Sequence, residues 1–404
     1  MNSICLVLDR LHAGFVGAYG NSWIETPELD RLAGQSFLFD QALVDSPQLA
    51  AVYRSCWQGW HALLGPPPPE RPALPALLAG QGLHTVLVTD EPAVAGHPLA
   101  AQFDELVTIE LRRATAPAET IEDTHLAQCF ATLLDAIQSL RPPFFLWCHL
   151  AALGAVWDAP REFRQRYVEE GDPEPGVSAE VPGRVLPPNF DPHQLQGINQ
   201  AYAGQVMLLD TCLGALLEDL DETGLAAQSL LAMLSPRGFP LGEHGRIGPC
   251  DDALHGPLVH VPWMIRFPDG LGSGVRTQSL VEPADLWATL LDWHAVPGRP
   301  ESPSGRSLLD AVRDERTPVH DRLYIVGQPP EQAIRTPAWY LRMAADPALY
   351  AKPDDRWEMN NVADRCRDVV ELLQQTAERY REALVAGCTA DLAPLEDVLI
   401  KGMG

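Results

Sequence analysis

The strongest constraint on this chain is an alternation: short, wholly apolar runs take turns with stretches whose apolar residues recur at helical spacing. ICLVL (4–8) is long enough for a buried strand, and TPELDRLAGQS after it places Thr26 as an N-cap with Pro27 in the first turn. LPALLAGQGLHTVLVTD reads as a helix closed by Gly82 and a strand over 84–89. THLAQCFATLLDAIQSL (124–140) reads as an amphipathic helix, followed by the strand PFFLWCHL. NQAYAGQVMLLDTCLGALLEDLDETGL is a long helix ending at Gly224, and SLLAMLS and VPWMIRFP are further strands. Uninterrupted apolar strands separated by helices imply an α/β layer structure around a largely parallel sheet. Ligands in such sheets sit beyond the carboxyl ends of the strands. That rule selects Asp9, Arg10, Asp90, His149, Ser235 and Arg237, all at or just past strand ends.

At 404 residues the chain has room for two or three domains. Its formal net charge of −25 disfavours nucleic acid, anionic lipid and polyanions such as sulfated polysaccharide, so neither nucleic acid nor a membrane is an expected partner. The simplest source of that charge is a solvated acidic surface. Met1 leads within three residues into ICLVL with no charged leader or cleavage site, and no apolar run reaches membrane-spanning length. The eight cysteines (5, 56, 129, 148, 212, 250, 366, 388) show no CxxC pair and no metal-ligand spacing, and Cys5 and Cys148 lie inside apolar runs as core thiols. A reduced, cytoplasmic protein is the expectation.

The stretch EEGDPEPGVSAEVPGRVLPPNFDPHQ (169–194), rich in Pro, Gly and Glu, reads as a long surface loop or lid. A proline-rich hinge around 297–303 and the segment 314–330 lead into a smaller unit. There AWYLRM and ALYAK read as hairpin strands, and RDVVELLQQTAERYREALVAG as a closing amphipathic helix. The division expected is a core domain at 1–325 and a C-terminal subdomain of short strands plus terminal helix at 326–404.

Several of these stretches, in order along the chain, resemble the sulfatases of the alkaline-phosphatase superfamily. LVLDRLHAGFVGAYGNSWIETPELDRLAGQSFLFDQA is similar to the family's N-terminal strand-turn-helix, including its Y-G-N and T-P-x-L-D-x-L-A elements. GQVMLLDTCLGALLEDLDETGL resembles the helix before the late metal strand, with Asp210 and Gly214 in register, and HLAALGAVWDAPREFRQRY the segment ending W-D-x-P. LGEHGRIG and HGPLVHVPWMIRFP are similar to the G-x-H-G turn and the strand after it. AIRTPAWYLR and LYAKPDDRWEMNNVADRC resemble the C-terminal subdomain. The resemblance implies an alkaline-phosphatase-like three-layer α/β sandwich with a mostly parallel central sheet and a small C-terminal α+β subdomain.

It also implies a site, against which this sequence departs. The family's chemistry uses a divalent cation, usually calcium, held by carboxylate and amide oxygens. Its nucleophile comes from a C/S-x-P-S-R turn whose first residue becomes formylglycine, and the cation polarises the sulfate. Lysines and histidines orient the sulfate and protonate the leaving group. Laid onto this sequence, the turn falls on Ala50-Ala51-Val52-Tyr53-Arg54, so Ala50 occupies the nucleophile position, and its methyl group cannot be oxidised or attack sulfur. Of two N-terminal aspartates Asp9 remains and the second is Arg10; the late metal pair falls on Pro236-Arg237, and G-K-W-H on Thr89-Asp90-Glu91-Pro92. The lysine after EHG falls near Pro249 and the central histidine near Leu153. A vestigial pocket of Asp9, Arg10, Arg54, Asp90, His149, Arg237 and His244 is what the resemblance leaves, with no catalytic residue assigned.

No cofactor and no metal is expected, Asp9 being the one retained ligand position. Arg10 and Arg237 are expected to replace the cation and pair with Asp9: a guanidinium brings positive charge and donors, and an unpaired buried aspartate costs several kcal/mol. The implied function is a catalytically inactive, sulfatase-like binding or scaffold protein. The alternative is a sulfate- or phosphate-ester hydrolase with a rearranged site and calcium or another divalent metal. A small anionic ligand at Arg10, Arg54 and Arg237, a homo-oligomer and a protein partner all remain open.

Each candidate also has an ordinary structural reading. Arg54 suits an ion pair as well as an anion. Ser46, Ser55 and Cys56 are near enough for a displaced nucleophile, but no base is identifiable beside them. His149 reads as a satisfied core histidine, and His244, in a Gly-flanked turn, as a stabiliser of that turn. Asp251, Asp252 and His255 read as a solvated loop rather than a metal site. Trp57, Trp60 and Trp157 suit either an aromatic wall or the core.

Overall fold

The structure, a computed structural model, describes residues 1–387 and 389–403, with Ala152 described by its backbone only; Cys388 lies outside the described residues. Along the chain run the strands β1 (Asn2–Leu8), β2 (Phe37–Ala42), β3 (His84–Thr89), β4 (Glu105–Thr108), β5 (Phe144–Leu150), β6 (Arg184–Val185) and β7 (Ser229–Leu234). They continue with β8 (Arg246–Ile247), β9 (Trp263–Arg266), β10 (Arg276–Val281), β11 (Leu323–Val326), β12 (Gln332–Arg335), β13 (Trp339–Met343) and β14 (Ala348–Ala351). The first helices are α1 (Pro27–Gly34), α2 (Leu49–Gln58), α3 (Leu74–Ala79), α4 (Pro92–Ala95), α5 (His125–Ser139) and α6 (Arg161–Gln165). After them come α7 (Pro192–Glu222), α8 (Gly256–Val259), α9 (Pro283–Trp293), α10 (Leu309–Arg313), α11 (Arg367–Val385) and α12 (Asp397–Lys401).

Eight strands form one sheet in the order β10-β2-β9-β7-β1-β5-β3-β4. The ladder from β7 to β4 is parallel, and β9 runs antiparallel to both β7 and β2. β1, β5 and β7 are buried at every residue, which is why they read as unbroken apolar runs. β4, at the edge, is short and mostly exposed. The register aligns the carboxyl ends: Val7 lies opposite both His149 and Leu234, and Thr89 opposite His149.

The chain divides into two compact units, each made of several stretches. The first comprises Met1–Leu38, Gly82–Cys250 and Val261–Val275. Its core joins Ile4, Leu6 and Leu8 to Leu146, Leu150 and, from α7, Val206, Leu209, Leu213 and Leu216. α7 starts where Asp191 caps it by accepting from the His193 N–H and Pro192 fills the first turn. The second comprises Phe39–Gln81, Asp251–His260 and Arg276–Gly404. Within it, α11 lays Val369, Leu373, Ala377, Tyr380 and Leu384 over the antiparallel sheet β11-β12-β13-β14, whose Tyr324, Ile334, Leu341 and Leu349 face them. α2 ends at Gly59 in a left-handed conformation (φ 59°), where a Cβ would stand 2.6 Å from the Trp287 ring of α9.

Three local expectations change. Thr26 stands at the N-cap position of α1 but does not cap it; its hydroxyl accepts from the Gly17 N–H at 2.9 Å, so it ties the preceding turn down instead. α3 stops at Ala79, before Gly82, whose φ of 83° serves the turn into β3. Finally, 169–194 is not loop throughout, because β6 pairs with β8 and α7 begins at Pro192.

Candidate functional site

The parallel strands of the first unit end together, and the residues just past them form a row. Asp9 follows β1, and its N–H is bonded to the Leu150 carbonyl at 2.9 Å. Arg237, past β7, forks onto it: Nε donates to Oδ1 at 3.0 Å and Nη2 to Oδ2 at 2.8 Å. Asp9 is 1% exposed. Burial alone would raise its carboxyl, but the charge and hydrogen bonds of Arg237, followed by the charges of Arg10 and His149, hold it below the usual carboxylate range.

Arg10 has a positive φ of 65°, uncommon for a residue with a side chain. Its backbone is fixed on both sides, with its N–H donating to the Arg237 carbonyl at 3.1 Å and its carbonyl accepting from the Tyr202 hydroxyl at 2.8 Å. Its guanidinium reaches the Gly238 carbonyl at 3.3 Å, and the side chain crosses so close to Gly154 that a Cβ there would lie 2.7 Å from its Cγ. Ser235 closes the turn before Arg237 by donating its hydroxyl to the Arg237 carbonyl at 2.7 Å.

On the next strand, β5, His149 is fully buried. Burial pushes its imidazole pKa down against the pull of Asp9 and Asp90, and Arg237 adds to the lowering. Past β3, Asp90 Oδ1 accepts from the Ala151 N–H at 2.6 Å and Oδ2 lies 2.7 Å from His125 Nε2 on α5. The row therefore reads Arg237, Asp9, His149, Asp90, His125, with Arg10 beside Asp9.

Further along the first unit, His12 Nδ1 accepts from the Gly14 N–H at 2.7 Å, which leaves its Nε2–H to donate to Glu243 Oε1 at 3.2 Å. Burial would raise Glu243, but the His12 hydrogen bond and charge and the Leu241 N–H bring it down to about 2. His244, next in the chain, has a left-handed backbone (φ 53°) in the turn Gly242–Gly245. Arg164, buried on α6, donates to the carbonyls of Trp157, Gly176 and Ser178, and so pins the segment from 157 to 178. That segment walls a cavity of about 670 Å³, lined among others by Trp157, Glu174, Arg184, His193 and Ile198.

Ala50 and Arg54 lie in the second unit, on α2, with Ala50 exposed and Arg54 half-buried. Ser55 donates to Asp45 and to the Trp60 carbonyl at 3.0 Å, a structural use of its hydroxyl. Cys56 and Trp57 are buried, as is Trp157 in the first unit, while Trp60 is half-buried with Arg71 over its ring at 5.1 Å. The solvated-loop reading of His255 does not hold. Its side chain is buried, accepting from Arg342 Nη1 at 2.9 Å and facing Glu358 Oε2 at 3.4 Å, because α8 begins directly after it.

Residues 1–296 match the family model described as Sulfatase. The chain belongs to the sulfatase family. Among its relatives is the iduronate 2-sulfatase of Mus musculus, 23% identical over 82% of this chain and 75% of its own length. The iduronate 2-sulfatase of Homo sapiens is 24% identical over 65% of this chain, which spans 60% of the human protein. The phosphonate monoester hydrolase of Agrobacterium radiobacter superposes with a TM-score of 0.77 over 98% of both chains at 15% identity. That likeness is one of fold: an alkaline-phosphatase-like α/β architecture with a mostly parallel eight-stranded sheet and a small C-terminal antiparallel sheet.

In this member of the sulfatase family, the strand-end rule finds Asp9, Arg10, Asp90, His149, Ser235 and Arg237 from sequence, and the first unit gathers all six. His12, His125, Tyr202 and Glu243 carry no comparable signal. His125 opens α5 at a separation of 35 residues from Asp90, and no spacing rule links the two.

Proposed function

We propose that this chain is a sulfatase-family protein that does not hydrolyse sulfate esters and works as a binding or scaffold protein. The fork of Arg237 on both oxygens of Asp9 carries the reading. The donor set does not fit a divalent cation: the carboxylate is committed to a guanidinium, and its chain neighbour is a second guanidinium on a fixed backbone. Cation ligands are oxygen-rich and anionic, so an ion here would have to displace one positive charge and tolerate another. Formylglycine chemistry has no starting side chain at Ala50, which offers only a methyl group. His149, buried and held toward its neutral form, suits a structural place in the row. Since Arg10 and Arg237 bond to Gly238 and Asp9, a protein partner is favoured over a small anion.

The test is turnover of an aryl sulfate, an aryl phosphate and an aryl phosphonate monoester, with and without added Ca²⁺ or Mn²⁺. No rate above that of the Asp9→Asn variant is expected. Turnover that Asp9→Asn abolishes would overturn the reading in favour of a hydrolase with a rearranged site.

A further inference from the structure

The second unit buries a polar cluster that the strand-end site does not use. Glu282 stands at the N-cap of α9, 1% exposed, and among the described residues neither of its carboxylate oxygens has a hydrogen-bond partner. Glu282 and Asp285 are placed as a reciprocal capping box, but only one half closes at hydrogen-bonding geometry. Asp285 Oδ2 accepts the Glu282 N–H at 2.8 Å, while the Asp285 N–H goes to the Glu282 backbone carbonyl at 2.9 Å. His61 comes within 3.6 Å of Glu282 Oε2, yet both its nitrogens are in use: Nδ1 accepts from Leu63, and Nε2 donates to the Tyr324 carbonyl at 3.0 Å.

Two further buried atoms share this condition. Asp45 Oδ1 and the Tyr380 hydroxyl also have no hydrogen-bond partner among the described residues. Beside them His320 Nε2 lies 2.9 and 3.1 Å from the two oxygens of Asp285. One ligand atom each from Glu282, Asp285 and His320 falls within 4.8 Å of the others.

Orphaned carboxylate oxygens this deep cost several kcal/mol unless something fills the gap. Water would supply donors but no charge, and Asp45, Glu282 and Asp285 together present three carboxylates. We infer that this unit binds a divalent transition-metal ion, Zn²⁺ or Mn²⁺, through Glu282, Asp285 and His320. The imidazole among the donors selects such an ion over Ca²⁺ or Mg²⁺. Ligand atoms about 2.0–2.2 Å from a metal stand roughly 3–4.4 Å apart; His320 and Asp285 lie at the near end of that range, and all three ligand atoms fall within 4.8 Å. Glu282 and Asp285 open α9 and His320 precedes β11, so the ion fastens these two stretches together.

Metal content of the full-length protein, measured by mass spectrometry, is expected to be about one Zn²⁺ or Mn²⁺ per chain. Removal by a chelator lowers the melting temperature, and Zn²⁺ or Mn²⁺, not Ca²⁺, restores it. Glu282→Gln weakens binding at least roughly tenfold, whereas Asp9→Asn leaves it unchanged. If Glu282→Gln does not fold, His320→Gln makes the same comparison. Absence of bound metal and of any melting shift overturns the inference and leaves the non-hydrolytic reading standing. Metal that Asp9→Asn releases overturns both.

Discussion

Arg237 carries more of this protein than its half-buried place past a strand end suggests. Asp9 is buried to 1% exposure, and a buried carboxylate without its partner is destabilising by about 3–5 kcal/mol. Arg237→Gln should therefore cost about that much in urea unfolding, and adding Asp9→Asn should recover a large part of the loss. Equal losses in the single and double variants would mean that a stranded Asp9 carboxylate is not what destabilises Arg237→Gln. The pairing was legible in the sequence because an aspartate and an arginine stand just past strand ends whose positions the apolar runs define. What could not be read was the division of labour. Arg237 makes the fork, whereas Arg10 is oriented by its backbone toward the Gly238 carbonyl. Arg10 also takes a positive φ, which no local pattern announces.

At the scale of elements, the approach of α6 to α7 is closer than side chains allow at one point. A Cβ on Gly204 would lie 2.9 Å from the Arg164 backbone N and Cα, atoms that cannot rotate away. Gly204→Ala gains helix propensity of about 1 kcal/mol, but overpacking against backbone costs typically 1–3 kcal/mol. The variant should melt lower than the parent and be cut faster by protease within 161–178, because Arg164 holds that segment by three carbonyls. A higher melting temperature would show that α6 yields easily. The long helix α7 was legible over its apolar half but not over its first turns. Pro192 to Gln194 fall in the Pro- and Gly-rich stretch read as a loop, and only the Asp191 cap and Pro192 mark the start. Similarly, His255 sits in the acidic stretch Asp251–His255, whose composition hides a buried ion-pair network with Arg342 and Glu358 from far along the chain.

For the molecule as a whole, buried carboxylates in both units set its response to acid. Glu243 in the first unit and Glu358 in the second are each lowered from 4.5 to about 2, against burial, through His12 and through His255 and Lys352 respectively. A lowered folded pKa adds stability that is complete above about 4.5 and is lost as the pH falls toward 2. Asp210 acts in the opposite sense: burial raises it from 3.8 to about 6, so its share of stability is lost as the pH rises through about 6. Stability measured by denaturant between roughly pH 3 and pH 7 should pass through a maximum, and Glu243→Gln should flatten its acid side. An unchanged acid side would remove Glu243 from this account. The α/β class and the mostly parallel sheet were readable from the alternation of runs, and the family resemblance from motifs such as T-P-x-L-D-x-L-A; the strand order was not read. The second unit was not, since it gathers residues 39–81, 251–260 and 276–404, and such long-range association leaves no trace in local periodicity.

The row at the strand ends also limits how this chain can change. Each charge there is the surroundings of the next, so exchanging Arg237 for a ligand-type residue strands Asp9, and placing a carboxylate at position 10 sets two like charges side by side. Either single substitution leaves a buried charge uncompensated and so gives a less stable protein. The row therefore changes only in concert: a tolerated substitution at one of its charges calls for a compensating one at its neighbour.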